Sequence, residues 1–585
     1  MTFSDLHDSA PRRWLAWYAL AGVLSLAACQ DSSAEGESNG DGDTAEETPN
    51  DSESESGDDG PQIICEPGQT RCADTETIET CAPTGLKWDP SPCEIYQQCD
   101  PCYGDDLGNC VAVCVGPCEK LKDQPSSEGC SFYTTSMYQA GQTIDDPPDA
   151  IIVGNPNTEL VATVELYFAP EGSNVEELVE GPIELMPGDS YEFLLPPELT
   201  MYMQNTSMYR SGEVHHIVSD LPIVAYLHSP YAASSTNGSS MLLPEEVMTG
   251  NYVVYGHSPF TAPSYFVVIA LEDQTTVRWW PTIETAGDNL PLPYVEAGQM
   301  GEQLLNRLDN MRIDSSFKNN IPRCEHDLSG TVIEADKPIW VVSATRGARI
   351  PYCHSSMVEG CETTVQADCI DGSDFLQEQN LPLEFWGQEY IGPHSPLRGS
   401  EEHYWRIFAG DDDVTITVEP PQPGTPIHLE KRGEWQQLVV PNGTNLRFTG
   451  DRPFMPVQYM TGHYEGDGKG SPAMVQMVPT VQFLDNYVFV TGVDYESNFV
   501  QIMREIGSAD VLLDGVDVDG LTVNGWAAVG GWEVATVEIS EGAHQIDSAD
   551  NFGIIQYGWS SLPNPLNTAG YAYPGGMKAE VIFIP

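Results

Sequence analysis

The sequence predicts an all-β protein: tandem sandwich-like β-units with internal repeats, preceded by a small disulfide-rich module and a disordered acidic linker. Three observations predict it. The 585 residues include 53 Gly and 45 Pro among 40% apolar residues, a mix that favours many turns and few long helices. A strand, an Asp-x-Pro turn and a second strand recur along the chain, with Pro222, Pro338 and Pro453 standing 116 and then 115 residues apart. Ten of the 15 cysteines are concentrated between Cys65 and Cys130. At about 100–200 residues per domain the length allows several units. The balance of 88 acidic against 24 basic residues gives a net charge of -64. Such a surface repels phosphate, which argues against nucleic acid as a partner and against docking on anionic lipid.

The first element, residues 1–28, reads as an export signal. Arg12 and Arg13 precede an apolar run from Trp14 to Ala28, shorter than the roughly 20 residues that span a bilayer. Leu26-Ala27-Ala28-Cys29 resembles the lipobox of bacterial lipoproteins, in which the Cys is acylated and the peptide before it removed. The expected lipid attachment is therefore Cys29, and the expected location is the outer membrane or cell surface. A simple signal peptide followed by a chance Cys is the alternative.

Residues 29–64 read as a tether. Between Gln30 and Gly60 stand twelve Asp or Glu and no basic residue. That segment lacks the apolar surface to offset its chain entropy, so it stays disordered and its charges extend it. Its reach is roughly 30 Å as a coil and about 100 Å when stretched.

Residues 65–130 hold Cys65, Cys72, Cys81, Cys93, Cys99, Cys102, Cys110, Cys114, Cys118 and Cys130, and a second cluster holds Cys324, Cys353, Cys361 and Cys369. With Cys29 assigned to lipid, each cluster is even, as expected of an exported disulfide framework whose pairing the spacing leaves open. Zinc is the competing reading, because Cys99 and Cys102 form a C-x2-C and His354 follows Cys353. No second C-x2-C completes a structural zinc site.

Residues 131–585 carry the repeats. The turns Asp220-Leu221-Pro222, Asp336-Lys337-Pro338 and Asp451-Arg452-Pro453 are matched by a fourth, Asp550-Asn551-Phe552, without the Pro. Asp bonds its own backbone locally, and Pro starts a strand where no amide proton is needed. Strand starts recur at Asn251-Tyr252, Glu389-Tyr390 and Asn486-Tyr487. Dense β-branched and aromatic residues with turns every 8–12 positions indicate sandwich-like or barrel-like units. The period suits whole β-domains better than propeller blades of about 40–50 residues. A propeller with elaborate blades is the alternative.

Three passages of this region resemble the bacterial relatives of the N-terminal domain of the IgG Fc-binding protein, a mucin-associated animal protein. They are Asp327-Leu328-Ser329-Gly330-Thr331 through Pro338; Cys369 with Asp374 through Pro382, Trp386-Gly387 and Tyr390; and His544 through Gly553, with Tyr557-Gly558 and Ala569 through Gly576. The sequence departs from that pattern at the insertion 355–368, which adds Cys361, and at the fourth turn. The animal protein gave the family its name by binding antibody constant regions. For this chain the resemblance implies a secreted or surface-attached binding protein, and it transfers no binding residue.

Catalytic signatures are sparse. No G-x-S-x-G, H-E-x-x-H, P-loop or G-x-G-x-x-G after a strand occurs. His215-His216 is the only His pair, and neighbours on a strand point to opposite faces, which disfavours a shared metal. Asp514, Asp517 and Asp519 are calcium candidates whose spacing does not fit an EF-hand loop. Asp411-Asp412-Asp413 and Glu272-Asp273 read as equivalent solvated turns. Of the adjacent Trp279 and Trp280, one is expected to face outward as part of a binding surface. The function that follows is non-catalytic recognition of an extracellular glycan or protein by a lipid-anchored surface protein, with no cofactor beyond possible calcium. A structural envelope component and a secreted hydrolase of polysaccharide or protein are the alternatives.

Overall fold

The computed structural model describes residues 63–93, 96–101, 111–122, 124–137, 147–195, 206–232, 236–260, 263–287, 292–316, 322–354, 364–365, 373–561 and 568–585. Residues 1–62, which include Cys29 and all but the last two residues of the tether, lie outside the described residues, as do Cys102, Cys110, Cys361, Cys369 and the side chains of Cys353 and His354. The chain divides into 1–62 and 63–585, and the second body is the one described.

The cysteine-rich module is short strands held by disulfides. Thr70–Asp74, Thr77–Cys81 and Trp88–Pro92 form an antiparallel sheet. Cys65 is bonded to Cys81, Cys72 to Cys99 and Cys93 to Cys114. So small a module buries little apolar surface, and covalent links supply the order that a core would otherwise supply. Cys118–Cys130 then ties the module to strand Gly129–Thr134, the first strand of the β-region.

Four units of one design follow. The third shows it most simply, with strands Glu389–Gly392, His403–Ala409, Val414–Glu419, Ile427–Leu429, Trp435–Val440, Leu446–Gly450, Phe454–Met460 and Ala473–Gln476. The first, sixth, third and fourth of these make one antiparallel sheet in that order; the fifth, second, seventh and eighth make the other. The same connectivity recurs in the first unit (Gly129–Met241), the second (Asn251–Gln379) and the fourth (Leu484–Pro574). Third strands alternate buried and outward positions, as in Val414–Glu419 and Thr275–Trp280, because one face of their sheet meets the core. Second and seventh strands such as Ser264–Ala270 and Ile339–Ala348 are buried throughout, because their sheets are covered on both faces. Each fully buried aromatic there, Trp340 and Trp405 among them, removes about 150–250 Å² from water, roughly 4–6 kcal/mol.

The sequence reading took the Asp-x-Pro segments as turns between two strands; the structure places those flanking stretches in different sheets, not paired with each other. The Asp-x-Pro segments are the points where one chain segment leaves the first sheet and enters the second. In the first and fourth units that segment is a single long strand, Val214–Ser229 and Ala543–Trp559; in the others it breaks between Val332–Ala335 and Ile339–Ala348, and between Leu446–Gly450 and Phe454–Met460. The Pro, having no N–H, sits where neither ladder needs a donor. The Asp caps the neighbouring third strand. Asp220 Oδ1 accepts from Thr163 N at 2.6 Å, Asp336 Oδ1 from Thr276 N at 2.7 Å and Asp451 Oδ1 from Thr415 N at 2.8 Å. The degenerate copy keeps this bond: Asp550 Oδ2 accepts from Ala509 N at 2.8 Å.

The eighth strands, Gly238–Met241, Asp374–Gln379, Ala473–Gln476 and Gly570–Pro574, pack against one another in sequence order, and the last returns to the first. The units therefore surround a common axis. That axis is polar and buried. Asn237 N donates to Asp374 Oδ1 at 2.6 Å, Gln379 N to Ser240 Oγ at 2.7 Å, and Gln476 Nε2 to Glu378 Oε1 at 3.0 Å. Burial pushes the Asp374 and Glu378 carboxyls well above their usual range. After the last strand, Ala579 N donates to Pro125 O and Ile582 N to Glu384 O, so the terminal segment bonds to the stretches that lead into the first and third units.

Candidate groove between the second and third units

Two clefts meet where the second unit faces the third. Trp280, Val332 and Glu334 of the second unit and Asp411, Asp412 and Arg432 of the third line one of about 440 Å³. The other, about 610 Å³, includes Asp327, Ser329 and Gly330 opposite Arg432, Glu434 and Trp435. Arg432 borders both.

The floor is set by two glycines. Gly330 and Gly433 have φ of +88° and +84°, and a Cβ on either would lie 2.3 Å from the other's carbonyl oxygen. Only glycine allows this approach of the two units in this conformation. Behind the floor, Arg406 Nη1 donates to Asp327 Oδ2 at 2.7 Å, Gly256 O at 2.8 Å and Ser329 Oγ at 3.0 Å. Its guanidinium lies 4.0 Å from the Trp435 ring centroid, which fixes the indole at the cleft wall. Burial pushes the Asp327 carboxyl up, but Arg406 and the two Ser329 donors outweigh it and hold it below its usual range. The Asp-Leu-Ser-Gly-Thr passage that carried the family resemblance thus forms one wall of the groove.

Of the Trp pair, Trp279 is fully buried and packs over Gly301, where a Cβ would meet its ring at 2.2 Å. Trp280 is half-buried and lines the groove. The acidic turn beside it is partly neutralised: Lys431 Nζ donates to Asp412 Oδ2 at 2.7 Å and Arg452 Nη1 to Asp411 Oδ2 at 2.9 Å. Arg432 Nη1 lies 3.9 Å from Glu334 across the groove. The wall offers aromatic faces with mixed charge, suited to a polar ligand presenting flat or cationic groups. Sequence reasoning expected one of Trp279 and Trp280 to face outward, read the acidic turn only as solvated, and missed Trp435 and Arg406, whose tie to Asp327 exists only once the two units meet.

The other sequence-predicted residues stand apart from the groove. Asp514 Oδ2 is 2.7 Å from His544 Nδ1, and its Oδ1 accepts from Gln545 N. Asp517 accepts from Asp519 N, and Asp519 from Trp526 Nε1 at 2.6 Å. The structure does not bring these three carboxylates together as a calcium set, and no cluster of three His, Cys, Asp or Glu suited to an ion occurs among the described residues. His215 packs on Phe168, and burial pushes its pKa down to about 3; His216 stacks on Tyr133 with ring centroids 4.1 Å apart. Cys324 is disulfide-bonded.

Comparison with solved structures gives the major pilin of Streptococcus pyogenes, 8% identical over 56% of this chain and 98% of the pilin with a TM-score of 0.12. It also gives an anti-sigma factor domain-containing protein from Clostridium clariflavum, 10% identical over 74% of this chain and 99% of that one with a TM-score of 0.10. No curated protein matches the chain. Residues 238–558, more than half of the chain and the whole of both groove walls, match the family described as IgGFc binding protein. The chain belongs to the IgGFc-binding protein family.

Proposed function

We propose that this is a lipid-anchored cell-surface protein that binds an extracellular protein or glycan in the groove between its second and third units. The observation that carries this reading is the pair of half-buried indoles, Trp280 and Trp435, one from each unit, lining a groove whose second-unit wall also contains the family passage at Asp327–Thr331. Buried guanidinium and carboxylate groups hold Trp435 in place, so ordering it on binding costs little entropy. The family name supports a protein partner. The organisation proposed is a signal peptide over 1–28, an acidic tether over 29–64, a cysteine-rich module over 65–130 and the β-region over 131–585. The lipobox-like Leu26–Cys29 supports attachment at Cys29, and the disulfides support an oxidising, exported location. The groove binds without chemistry in this reading.

The test is surface labelling of intact cells together with binding of the lipid-free chain to secreted-protein and glycan arrays, with and without calcium. External labelling and saturable binding are expected. W280A and W435A should each weaken that binding at least tenfold, at about 1–2 kcal/mol per lost aromatic contact. Labelling only after permeabilisation, or binding indifferent to both substitutions, would overturn the proposal.

A further inference from the structure

Away from the groove, the outer sheet of the first unit brings together a serine, a histidine and a glutamate that lie 40 to 85 residues apart in sequence. Ser131 is on strand Gly129–Thr134 and His216 on Val214–Ser229; these strands pair with His216 opposite Tyr133 and Val218 opposite Ser131. Glu176 immediately precedes strand Glu177–Leu185 at the edge of the same sheet. Ser131 Oγ is 2.9 Å from His216 Nε2, and His216 Nδ1 is 2.6 Å from Glu176 Oε1. These are the separations expected of a nucleophile, its base and the group that orients the base. We propose that Ser131, His216 and Glu176 form an acyl-transfer centre that hydrolyses small neutral carboxylic esters.

The surroundings fit that role. Tyr133 stacks on the imidazole, and Arg307 Nη2 donates to Glu176 Oε2 at 2.9 Å, so the orienting carboxylate is itself held. Burial pushes the Glu176 carboxyl up, but His216 and Arg307 outweigh this and keep it ionised. Tyr133 Oη shares Glu245 Oε2 with the Ser131 hydroxyl and accepts from Arg307 Nη2 at 3.3 Å, so Tyr133 is the donor at hand for an oxyanion. Ser131 is half-buried and open to a ligand, while the nearby carboxylates exclude anionic substrates. In the resting arrangement Ser131 Oγ also donates to Glu245 Oε2 at 2.7 Å, and Tyr133 Oη donates to the same oxygen at 3.2 Å. Glu245 therefore acts as a latch that must leave before Ser131 can give its proton to His216.

The chemistry balances with ester and water alone. Ser131 Oγ bonds to the acyl carbon as its proton passes to His216 Nε2. The carbon's bond to the alcohol oxygen breaks, and that oxygen takes the proton. Water then attacks the acyl-serine with His216 as base, which releases the carboxylic acid and restores Ser131. A comparable triple elsewhere lacks the geometry: His544 Nε2 is 2.9 Å from the Ser540 carbonyl oxygen but 3.4 Å from its hydroxyl.

The mature chain should be treated with a fluorophosphonate probe, the modified residue mapped by mass spectrometry, and p-nitrophenyl acetate hydrolysis followed in parallel. Labelling at Ser131 is expected. S131A should abolish it, H216Q and E176Q should slow it at least 100-fold with the fold retained by circular dichroism, and E245Q should speed it several-fold. Binding in the groove should be unchanged in S131A, which keeps the two proposals separable. If Ser131 stays unlabelled in both the natural chain and folded E245Q, or if labelling and hydrolysis survive S131A, the centre does not exist.

Discussion

Asp149 opens the second strand of the first unit with 1% of its surface exposed, and burial pushes its carboxyl from 3.8 up to about 7. The Met137 amide, 2.9 Å from Oδ2, pulls it partly back. In the unfolded chain the group releases its proton near its ordinary value; in the folded chain it keeps the proton to about pH 7. Between those limits the native state holds one more proton, so unfolding free energy falls as pH rises, by about 1.4 kcal/mol per pH unit. Asp149 thus contributes in full below about pH 4, and roughly 4 kcal/mol is lost by pH 7. Asp149→Asn keeps an oxygen to accept from Met137 and has no proton to lose. Its unpaired amide hydrogens cost about 1–3 kcal/mol at every pH, so the slope is the readout rather than the offset. Urea unfolding of both chains from pH 4 to 8 at fixed ionic strength gives the difference, in which most of the repulsion from the -64 net charge cancels. The variant should gain about 4 kcal/mol relative to the natural chain between pH 4 and 7, then run parallel above. Parallel curves throughout would refute the reasoning and place Asp149 in contact with water.

Two further perturbations test the other supports. Arg406→Met leaves Asp327 buried without its cation and should cost about 3–5 kcal/mol; the double variant with Asp327→Asn should recover much of that, and a double mutant as unstable as the sum of the singles would show that the pair is not coupled. Replacing Cys118 and Cys130 with Ser opens a link with a sequence separation of 12 and should cost about 2–3 kcal/mol. It should also speed amide exchange in Gly129–Thr134, and unchanged exchange there would show that the disulfide does not anchor the module to the first unit.

The repeat was legible because its device is local. An Asp stands where each strand changes sheets, with its carboxylate capping the adjacent strand, so Asp220, Asp336 and Asp451 repeat with the fold. Asp550 shows which half of the device matters more: the Pro is gone, the strand runs unbroken from Ala543 to Trp559, and the cap to Ala509 remains. The sequence therefore encodes the sheet crossover through an acceptor; the Pro does not set whether the strand is interrupted, since Val214–Ser229 runs unbroken through Pro222. The axis was not legible, because Asp374, Glu378 and Gln476 look in sequence like polar residues misplaced in apolar strands. Their partners come from other units and become adjacent only when four eighth strands converge.

The same distinction separates the two proposed sites. The groove wall at Asp327–Thr331 is one continuous passage, since Asp327 must both accept from Ser329 and set Gly330 against Gly433; a contiguous constraint leaves a contiguous signature. Ser131, His216 and Glu176 carry no such signature. Antiparallel pairing fixes which residues oppose each other but leaves the lengths of the intervening connections unconstrained, so no motif spacing connects them. A sheet face can therefore bring together side chains that signature searches pass over, and the reading that His215 and His216 face opposite sides left the cross-strand partners of His216 unread. The informative neighbours of a strand residue are those across the ladder, which can be several strands away in sequence order, and not the residue beside it in the chain.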